Sequence, residues 1–543
     1  MNQHLSTPPA PRNEPILNYA PGSVEKKLLK QKLSELSQTS VDIPVIINGR
    51  EIRTGKTENV ASPHTHAKKL GVMHEAGVDE VRAAISGALK VAPEWARLPW
   101  EERAAIFLKA AELLAGKYRP LLNASTMLGQ SKTCYQAEID AACEMIDFLR
   151  FNVEFQKKIY AEQPLSASGQ WNQMEYRPLE GFVFAVTPFN FTSIAGNLPA
   201  APVLMGNVCV WKPATTSVYS NYFLMKLFEE AGLPPGVIQF LPGPGRPLGD
   251  QVFKDPNFAG IHFTGSTGTF QSMWKTMGEN LKNYRSYPRI VGETGGKDFV
   301  FAHASADVDA CAVALLRGAF EYQGQKCSAA SRAYMPKSIW PKIKERLLAD
   351  LKTIKVGDPA DFTNFMGAVI DRKSFTNIQS YLEGAKKDAG VKILAGGDCD
   401  DSEGYFVEPT VLEVENPKYR TMVEEIFGPI LTVYVYDDAK FEETLTLCDE
   451  TSPFALTGAV FSQDRSAMAR VRDRLVNSAG NFYINNKPTG AVVGQQPFGG
   501  ARGSGTNDKA GSLLNLLRWV SVRTISETFA PPQNYRYPFM EET

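Results

Sequence analysis

The fold is decided by a strand–helix–strand unit at residues 181–212, which read GFVFAVTPFNFTSIAGNLPAAPVLMGNVCVWK. The apolar run at 181–187 predicts a buried strand, residues 193–205 predict a helix, and residues 207–212 predict a second buried strand. Two strands that are joined through a helix lie parallel in one sheet. The unit therefore predicts the beginning of a parallel α/β sheet.

The alternation of strands and helices continues downstream of this unit. It predicts a doubly wound sheet, because parallel strands need helical crossovers that cover both faces. Ligands bind outside the carboxyl ends of the strands in such sheets. The further elements expected are a helix at 219–231, strands at 237–241 and 260–264, a helix at 267–281 and a strand at 289–293.

A second alternating block covers residues 299–486 and predicts a second α/β domain. The chain before the first block is mostly helical in pattern, with a hairpin at 42–54 in which Asn48-Gly49 supplies the turn. The expected helices are 24–36, 78–97, 100–117, 136–155, 308–320, 339–351 and 374–388, and the expected strands of the second block are 333–336, 391–394 and 430–435.

Two segments lie outside these blocks. Residues 163–177 are polar with alternating stretches, which predicts a β-excursion from the main body, and a plain surface loop is the alternative. Residues 518–525 predict a strand near the end of the chain.

The composition excludes several classes of function. The 543 residues include 58 basic and 59 acidic ones, so no bulk charge attracts nucleic acid or an anionic membrane. No apolar run approaches the roughly 18 residues that span a bilayer. Residues 1–22 have no apolar core and are not rich in arginine, so neither a secretory signal nor a mitochondrial transit peptide is expected.

The seven cysteines are scattered and form no CxxC pair, and the six histidines form no cluster. We therefore expect no disulfide framework and no metal site. The pattern is typical of a reducing compartment.

Cys327 is the strongest candidate nucleophile. It lies between Lys326 and Ser328 in a short polar loop that connects the helix and strand predicted around it. The thiolate is the reactive form, and a nearby cation or helix N-terminus favours it. The alternative is a small buried residue without chemistry.

Glycine-rich turns offer a cradle for phosphate groups. Residues 243–249, which contain Gly245, are one residue longer than the GxGxxG dinucleotide loop, and a simple turn is the alternative. Gly265-Ser266-Thr267 enters a helix, whose first N–H groups can hold a phosphate. Lys212 ends an apolar strand and could anchor a ribose or phosphate, or could extend into solvent from the strand end.

Two polar residues at strand ends complete a catalytic set with Cys327. Glu293 precedes Gly295-Gly296 and could act as a general base, or serve as a helix cap or solvated turn residue. Asn190 carries an amide that could stabilise an oxyanion, or could simply form a turn. A thiol, a base, an oxyanion donor and a dinucleotide cradle together indicate an enzyme site.

The ordered motifs of the chain resemble the NAD(P)-dependent aldehyde dehydrogenase superfamily, and the resemblance covers about residues 46–529. The 34-residue spacing from Glu293 to Cys327 also fits that family. The motifs are TPFNF from Thr187, WKP from Trp211, FTGS from Phe263, ETGGK from Glu293, GQKC from Gly324, EEIFGP from Glu424 and PFGG from Pro497.

This resemblance implies the fold and the reaction. The fold would be α/β, with a Rossmann-type doubly wound NAD-binding domain, an α/β catalytic domain and a small β oligomerisation element. Cys327 would attack an aldehyde, Asn190 and the Cys327 N–H would stabilise the oxyanion, and Glu293 would activate water against the thioester. The residues implied around NAD are Thr187, Pro188, Phe189, Lys212, Gly245, Gly265, Ser266, Thr267, Glu425 and Phe427.

Within the superfamily the chain resembles the branch that oxidises L-glutamate γ-semialdehyde, formed from 1-pyrroline-5-carboxylate, to glutamate in proline catabolism. The segments that carry this similarity are QAEIDAA from Gln136, FNFT from Phe189, FEY from Phe320 and TGAVVGQQPFGGAR from Thr489. The branch implies that the substrate contacts Ser328, Gly490 and Ala491 through its carboxylate, Phe191 and Phe498 through its aliphatic chain, and Glu144 through its ammonium group.

One departure concerns the cofactor. Many members of the superfamily have Glu three residues after the position of Lys212, where it holds a ribose hydroxyl, whereas this chain has Thr215. Without that carboxylate a 2′-phosphate is not repelled, so NADP use stays open. The branch favours NAD.

The resemblance also implies an organisation. Residues 1–162 and 178–294 would form the NAD-binding domain, 295–486 the catalytic domain, 163–177 with 513–543 the oligomerisation element, and 487–512 the substrate-anchor loop region. The expected partners are a second copy of the chain in a homodimer and, as a further option, a proline dehydrogenase. The expected location is the cytoplasm, with the mitochondrial matrix as the alternative.

Two rival functions stay open at this point. A dehydrogenase for another acidic aldehyde, such as succinate semialdehyde, would hold the carboxylate in an arginine pocket instead of the Gly490-Ala491 turn. A non-catalytic oligomeric protein could reuse the fold, although the intact Cys327, Glu293 and Asn190 argue against it.

Overall fold

The computed structural model describes residues 7–541. Residues 1–6 of the predicted NAD-binding domain and residues 542–543 of the predicted oligomerisation element lie outside the described residues. Two seven-stranded sheets, one from each alternating block, form the body of the protein. The expectation of an α/β fold with a doubly wound sheet is confirmed. Among the described residues no helix is both long and apolar enough to cross a membrane.

The strands vary from two to ten residues, and the longest of them belong to exposed hairpins and ribbons. In chain order the strands of residues 7–541 are β1 (Val41–Ile43), β2 (Val45–Ile47), β3 (Arg50–Ile52), β4 (Thr57–Ser62), β5 (Thr65–His74), β6 (Gln170–Pro178), β7 (Phe182–Val186), β8 (Cys209–Lys212), β9 (Ile238–Phe240), β10 (Phe258–Thr264), β11 (Arg289–Glu293), β12 (Asp298–Ala302), β13 (Ala330–Pro336), β14 (Val391–Ala395), β15 (Cys399–Asp400), β16 (Phe406–Val407), β17 (Thr410–Val414), β18 (Ile430–Tyr436), β19 (Phe454–Ala455), β20 (Thr457–Phe461), β21 (Asn481–Ile484), β22 (Ala501–Arg502) and β23 (Val520–Thr528).

The helices cover the faces of the two sheets. In the described part of the chain the α-helices are α1 (Val24–Gln38), α2 (Val78–Arg97), α3 (Trp100–Leu113), α4 (Arg119–Gln130), α5 (Cys134–Ala137), α6 (Met145–Ala161), α7 (Thr192–Leu204), α8 (Val218–Ala231), α9 (Gly245–Val252), α10 (Thr267–Asn280), α11 (Val308–Phe320), α12 (Trp340–Leu351), α13 (Arg372–Lys387), α14 (Arg420–Val423), α15 (Phe441–Glu450), α16 (Arg465–Arg474) and α17 (Leu513–Leu517).

The first sheet has the strand order β3-β2-β9-β8-β7-β10-β11, in which β9 through β11 are parallel. The chain moves outward from β7 to β8 and β9, and then returns to place β10 and β11 on the other side. This reversal creates a crevice between the carboxyl ends of β7 and β10, which is where doubly wound sheets bind ligands. The hairpin of β2 and β3 adds two antiparallel strands, and Asn48 and Gly49 both have positive φ in its turn, as expected.

The 181–212 unit forms the centre of this sheet because nearly all of it is apolar. Every residue of β8 is buried, and so are every residue of α7 except Ile194 and the first four residues of β7. Trp211 packs edge-on against Phe240 with ring centroids 5.0 Å apart. Burial on both faces leaves only the strand ends to carry polar side chains toward a ligand.

The second sheet has the order β14-β17-β18-β13-β12-β20-β21, and only the edge strand β14 is antiparallel. The segment 294–297 joins the last strand of the first sheet, β11, directly to β12 in the second. The two sheets therefore meet at residues 293–298.

The sequence patterns missed several elements. The hairpin of β4 and β5 contains Lys68 and Lys69 among its apolar residues, so the alternation is weak. The strands β12, β17, β20 and β21 have only four or five residues, which is too short for a clear period. The helix expected at 100–117 ends at Leu113, because residues 114–118 form a π-helical turn.

β6 and β23 pair antiparallel over nine residues and form an arm outside both sheets. The β-excursion expected at 163–177 is confirmed, since β6 occupies most of it. Its partner β23 begins at residue 520, two residues after the start of the strand predicted at 518–525, and ends at residue 528, three residues after the predicted end. The division of the chain into domains stays a prediction.

Packing in the second sheet generates a stability prediction. Gly458 in β20 pairs with Phe299 in β12, and a Cβ on Gly458 would overlap the Phe299 ring. Both residues are buried, so the ring has no free space to move into. We expect Gly458→Ala to lower the stability by about 1–3 kcal/mol, the usual cost of overpacking. Thermal unfolding measured by circular dichroism gives the shift in Tm.

The matched control is Gly278→Ala. Gly278 lies inside α10 with nothing within 4 Å of its added Cβ. Alanine favours helix over glycine by about 1 kcal/mol, so this variant should hold or raise the Tm. Equal Tm values for the two variants would contradict the packing argument.

Candidate active site

Cys327 lies in the loop between α11 and β13 and is buried. Three residues just before it have left-handed backbones, with φ of 52° at Tyr322, 54° at Gln323 and 66° at Gly324. Such conformations are strained for residues other than glycine and persist only where the surroundings fix them. The Gln323 amide provides one such restraint, because it donates hydrogen bonds to the carbonyls of Ser131 and Ala368 at 3.0 and 2.7 Å.

The Cys327 loop packs directly onto the turn between the two sheets. A Cβ on Gly296 would overlap the carbonyl oxygen of Cys327, and one on Gly295 would overlap the carboxylate of Glu425. The Gly296 N–H donates to Glu425 at 2.9 Å. The two glycines after Glu293 therefore permit a backbone approach that larger residues would prevent.

Asn190 follows β7 and reaches the same loop. Its Nδ2 donates to the carbonyl of Gln325 at 3.1 Å, and the side chain is buried. An amide nitrogen carries two protons, so one N–H of Asn190 is left for a further acceptor. The structure thus brings the predicted oxyanion donor to the loop of the predicted nucleophile.

Glu293 is the last residue of β11 and forms a bridge with Gly505. The pKa of Glu293 is raised to about 8, first by burial and then by the negative charge of Asp508, while the positive charge of Lys509 opposes both. A carboxyl group with such a pKa exchanges its proton near neutral pH, which suits a general base.

The pKa of the Cys327 thiol is also raised, first by burial and then by the negative charges of Glu293, Asp298 and Glu425. The expectation that a neighbouring cation favours the thiolate is wrong for Lys326. The Lys326 ammonium is instead paired with Glu321 at 3.2 Å. The thiol is therefore protonated at rest, and its proton must leave when it attacks.

Lys212 and Gly245 form one side of a cradle at the carboxyl ends of the first sheet. Burial lowers the pKa of Lys212 to about 8, and no described residue accepts a hydrogen bond from its ammonium. The ammonium lies 3.9 Å from where a Cβ on Gly245 would stand. Gly245 begins α9, whose first turn has no side-chain cap. An unpartnered cation beside an open helix N-terminus fits a phosphate or ribose.

Gly265, Ser266 and Thr267 lie across the crevice at the end of β10. Ser266 caps α10 by accepting from the Thr269 N–H at 3.3 Å. Thr267 accepts from the Gly295 N–H at 3.2 Å and so ties this helix start to the turn between the sheets. A Cβ on Gly265 would stand 2.7 Å from the Phe263 ring.

The remaining residues expected around the cofactor surround the same crevice. Thr187 accepts a hydrogen bond from the Trp211 indole at 3.0 Å, and Pro188 beside it is buried. Phe189 and Phe427 pack edge to face, with centroids 5.7 Å apart. The residues present therefore fit a dinucleotide, although their individual roles stay predictions.

A cavity of about 510 Å³ opens on the other side of Cys327. It contains the predicted nucleophile together with every residue predicted for the substrate, and Glu293 and Asn190 lie outside its wall. The predicted residues that line it are Cys327, Ser328, Gly490, Ala491, Phe191, Phe498 and Glu144.

The loop after β21 supplies one wall of this cavity. Ser328 donates to the Thr489 hydroxyl at 2.9 Å, which links the loop to the nucleophile. Gly490 has a φ of 98°, a conformation that favours glycine. Phe498 is held by paired backbone hydrogen bonds with Ala510 at 2.9 and 2.8 Å.

Glu144 also lines the cavity, at the end of a π-helical segment, Glu138–Glu144. It accepts a hydrogen bond from Ser193 at 2.9 Å, and burial raises its pKa to about 8. Acidic residues on one helical face are usually solvated, but Asp140 on the same segment is buried and pairs with Lys132 at 2.6 Å.

The sequence analysis missed a strap near the N-terminus, defined here as residues 13–19. Asn13, Glu14 and Ile16 of the strap line the cavity. Asn13 Nδ2 donates to both Asp147 and the carbonyl of Val493, each at 2.8 Å. The strap therefore joins α6 to the loop that carries Gly490.

Ion pairs and a further hydrogen bond hold the strap in place. Glu14 pairs with Arg119 at 2.6 Å and with Arg150 at 2.7 Å. Gln495 donates back to Asn13 at 2.9 Å. No periodicity or motif signals such contacts, since the partners are far apart in the chain.

Lys487 is a second cavity residue that the sequence patterns did not indicate. It lines the cavity beside Gly490 and lies two residues before Thr489, where the TGAVVGQQPFGGAR stretch begins. A lysine so near that stretch was the available signal.

The comparisons with known proteins agree with this geometry. The sequence model of the aldehyde dehydrogenase family matches residues 51–525, and the chain belongs to that family. It is 56% identical over 535 residues to the mitochondrial delta-1-pyrroline-5-carboxylate dehydrogenase of Dictyostelium discoideum, covering 98% of this chain and 96% of that protein.

Solved structures are similar over the whole chain. The delta-pyrroline-5-carboxylate dehydrogenase of Mycobacterium tuberculosis bound with NAD is 52% identical, with a TM-score of 0.96 and complete coverage of both chains. Proline utilization A of Bdellovibrio bacteriovorus is 28% identical, with a TM-score of 0.92, over 98% of this chain and 55% of that one.

The raised pKa of Glu293 generates a prediction about pH. A general base acts when deprotonated, so the rate of NADH formation with an aldehyde should rise as the pH increases through about 8. Removing the charge of Asp508 removes one cause of the raised pKa. We expect Asp508→Asn to move this rise to lower pH, measured as a pH profile of kcat.

The ionisation of the Cys327 thiol, to whose raised pKa the charge of Glu293 contributes, needs its own measurement. The rate at which iodoacetamide alkylates Cys327, followed by mass spectrometry, should increase with pH in both proteins, because burial dominates its pKa. A kcat profile that is unchanged in Asp508→Asn would contradict the assignment of the rise to Glu293.

Proposed function

We propose that this protein oxidises L-glutamate γ-semialdehyde to L-glutamate with NAD in proline catabolism. The observation that carries the proposal is a single cavity that contains the candidate thiol together with polar groups complementary to the charges of this substrate. Membership of the aldehyde dehydrogenase family and the similarity to the dehydrogenases named above support it.

Cys327 begins the reaction by attacking the aldehyde carbon. The attack forms a carbon–sulfur bond and turns the carbonyl oxygen into an oxyanion, and the thiol proton passes to the carboxylate of Glu293, which then releases it to solvent. The free N–H of Asn190 and the backbone N–H of Cys327 stabilise that charge, and because Asn190 is already held by Gln325 it needs no reorganisation.

A bound NAD would supply the acceptor for the hydride that leaves the carbon attached to sulfur. The residues that would hold it are those of the crevice, with Lys212 and the start of α9 on one side and Ser266 and Glu425 on the other. After oxidation the substrate is a thioester on Cys327, and Glu293 removes a proton from the water that hydrolyses it. Glutamate leaves, and the thiol is regenerated.

The cavity contains groups that match both charges of the substrate. The loop of Gly490 and Ala491 offers backbone N–H donors to the α-carboxylate, and the Ser328 hydroxyl joins them by turning away from Thr489 when the substrate binds. Glu144 accepts from the α-ammonium, and Phe191 and Phe498 enclose the aliphatic chain.

An arginine pocket would favour another acidic aldehyde. Arg317 lines the cavity, but its charge is paired with that of Glu321, to which its Nε donates at 2.7 Å. This pairing favours glutamate γ-semialdehyde over succinate semialdehyde.

The proposal includes NAD as the cofactor instead of NADP. Thr215 follows β8 at the start of a 3₁₀ turn, Thr215–Ser217. A threonine hydroxyl can hydrogen-bond a ribose hydroxyl but carries no positive charge for a 2′-phosphate. The NAD bound in the Mycobacterium tuberculosis structure supports this choice.

A homodimer is part of the proposal. The arm of β6 and β23 is a two-stranded ribbon, which is marginal on its own and has unpaired edges. Trp171 and Ile525 lie on one face of it and are 52% and 37% exposed. A second copy of the chain would cover this face.

The substrate also points to a partner and a location. 1-Pyrroline-5-carboxylate arises by oxidation of proline, so a proline dehydrogenase would supply the reaction, and the similarity to proline utilization A supports this link. The described cysteines are all free, which suits the cytoplasm or, as the alternative, the mitochondrial matrix.

The first test follows NADH absorbance with 1-pyrroline-5-carboxylate, succinate semialdehyde and a simple alkyl aldehyde. We expect the first substrate to give the highest kcat/KM and NAD to exceed NADP. Cys327→Ala should lose at least about a thousandfold in kcat, since it removes the nucleophile.

The control is Cys311→Ala, which changes a cysteine buried in α11 away from the cavity. It should keep wild-type kinetics if it folds. Preference for succinate semialdehyde would replace the proposed substrate, and inactivity with all three aldehydes and both cofactors would favour a binding protein.

The dimer has a separate test. We expect Ile525→Glu to shift the mass in solution from two chains toward one, measured by light scattering after size exclusion, because a charge would be buried at the interface. The matched control is Val476→Glu, at a site that is 69% exposed in another part of the protein. A monomeric wild type would contradict the proposed interface.

A further inference from the structure

Three cationic side chains line the cavity, and two of them are paired with the same carboxylate. Arg317 and Lys326 each bind one carboxylate oxygen of Glu321, at 2.7 and 3.2 Å. Glu321 is buried, and both of its oxygens are occupied. The third cation, Lys487, has no hydrogen-bonding or ion-pair partner among residues 7–541.

Lys487 is aimed at the substrate-anchor loop. Its Nζ lies 3.0 Å from where a Cβ on Gly490 would stand, so the ammonium sits directly over the Gly490 backbone. The stem of Lys487 packs near Gly318 on α11 and is thereby fixed on its approach to the cavity. Partial burial lowers the pKa of Lys487, the charge of Glu321 opposes this shift, and the neighbouring cations Lys326 and Arg317 add to it.

The cavity is lined by charges of both signs. Around Lys487 one carboxylate is shared by two cations, which leaves an excess of positive charge there. Glu144 and Asp147, which belong to other elements, also line the cavity. The cavity therefore offers a cation to a carboxylate and carboxylates to an ammonium, as an α-amino acid substrate requires.

We infer that Lys487 is a specificity-determining residue, whose ammonium binds the α-carboxylate of the aldehyde substrate. This inference rests on the proposed function and extends it, because backbone N–H groups and one hydroxyl would otherwise be the only groups to face that charge. It assigns the recognition of a carboxylate far from the reacting carbon to one side chain. The reacting carbon itself is not touched by Lys487.

The inference predicts which substrates depend on Lys487. Glutamate γ-semialdehyde carries both an ammonium and a carboxylate, 5-oxopentanoate carries only the carboxylate, 4-aminobutanal carries only the ammonium, and butanal carries neither. These four aldehydes have the same chain from the aldehyde to the fourth carbon. A residue that binds the carboxylate should matter for the first two alone.

The test measures kcat and KM of Lys487→Met with the four aldehydes. Methionine retains most of the stem and removes the charge. We expect KM for glutamate γ-semialdehyde and 5-oxopentanoate to rise about 10- to 100-fold with kcat nearly unchanged, as for loss of a charged hydrogen bond. The constants for 4-aminobutanal and butanal should stay within about twofold, and Lys487→Arg should restore part of the loss.

Two further variants serve as controls. Lys342→Met removes an exposed lysine from α12 and should change none of the constants. Glu144→Gln should instead raise KM for the two aldehydes that carry an ammonium group. Both cavity variants thus impair glutamate γ-semialdehyde, but only Lys487→Met impairs 5-oxopentanoate and only Glu144→Gln impairs 4-aminobutanal. A general disturbance of the fold would not produce this difference.

The outcomes separate the inference from the proposed function. An equal loss on all four aldehydes, or no loss on the two carboxylates, would overturn the role of Lys487. If the wild type preferred 5-oxopentanoate and Lys487→Met removed that preference, the role of Lys487 would stand and the proposed substrate would fall. A wild type whose kcat/KM is no higher for the two aldehydes with a carboxylate than for the two without it would overturn both.

Discussion

The close approach of the Cys327 backbone to Gly296 is the contact on which the rest of the site depends. Gly296 lies in the short turn that connects the last strand of the first sheet to a strand of the second, so the contact sets the nucleophile between the two sheets. The same turn holds Glu293 on one side and Asp298 on the other. Asn190 reaches the Cys327 loop from a different strand end, through the carbonyl of Gln325. A side chain at position 296 would push the Cys327 loop away from the turn, and would thereby move Cys327 away from Glu293 and Asp298 at the same time.

Burial sets the electrostatic character of this junction. It raises the pKa of Glu293 and Asp298 to about 8 and that of Glu425 to about 7, and the carboxyl groups add to the raised pKa of the thiol. Near neutral pH each of these carboxyl groups is therefore protonated in a large fraction of the molecules. Such a junction exchanges protons readily without holding a strong field of either sign, which suits a reaction in which a thiol and a water each lose a proton in turn.

Much of this arrangement could be predicted from the sequence, and the reasons are local. Cys327, Glu293 and Asn190 follow apolar strands or a helix whose periods are clear, and parallel strands bring their ends to one edge. The same reasoning fails for Glu144, since an acidic helical face is typical of solvent and only Lys132 and Ser193, from other elements, make its burial tolerable. Lys487 and the strap at residues 13–19 carry no periodic signal at all. Their importance comes from contacts between distant segments, which a single sequence does not encode in its spacing.

The strap has a consequence for the order in which the molecule matures. Its hydrogen bonds to Val493 and Gln495 join residues 480 and 482 positions apart. Closing so long a loop is entropically demanding and normally follows the formation of more local structure. The cavity wall is therefore completed only after almost the whole chain has been synthesised and both sheets have formed. Refolding experiments should recover the helical signal before they recover turnover, and the interval between the two would report the docking of the strap.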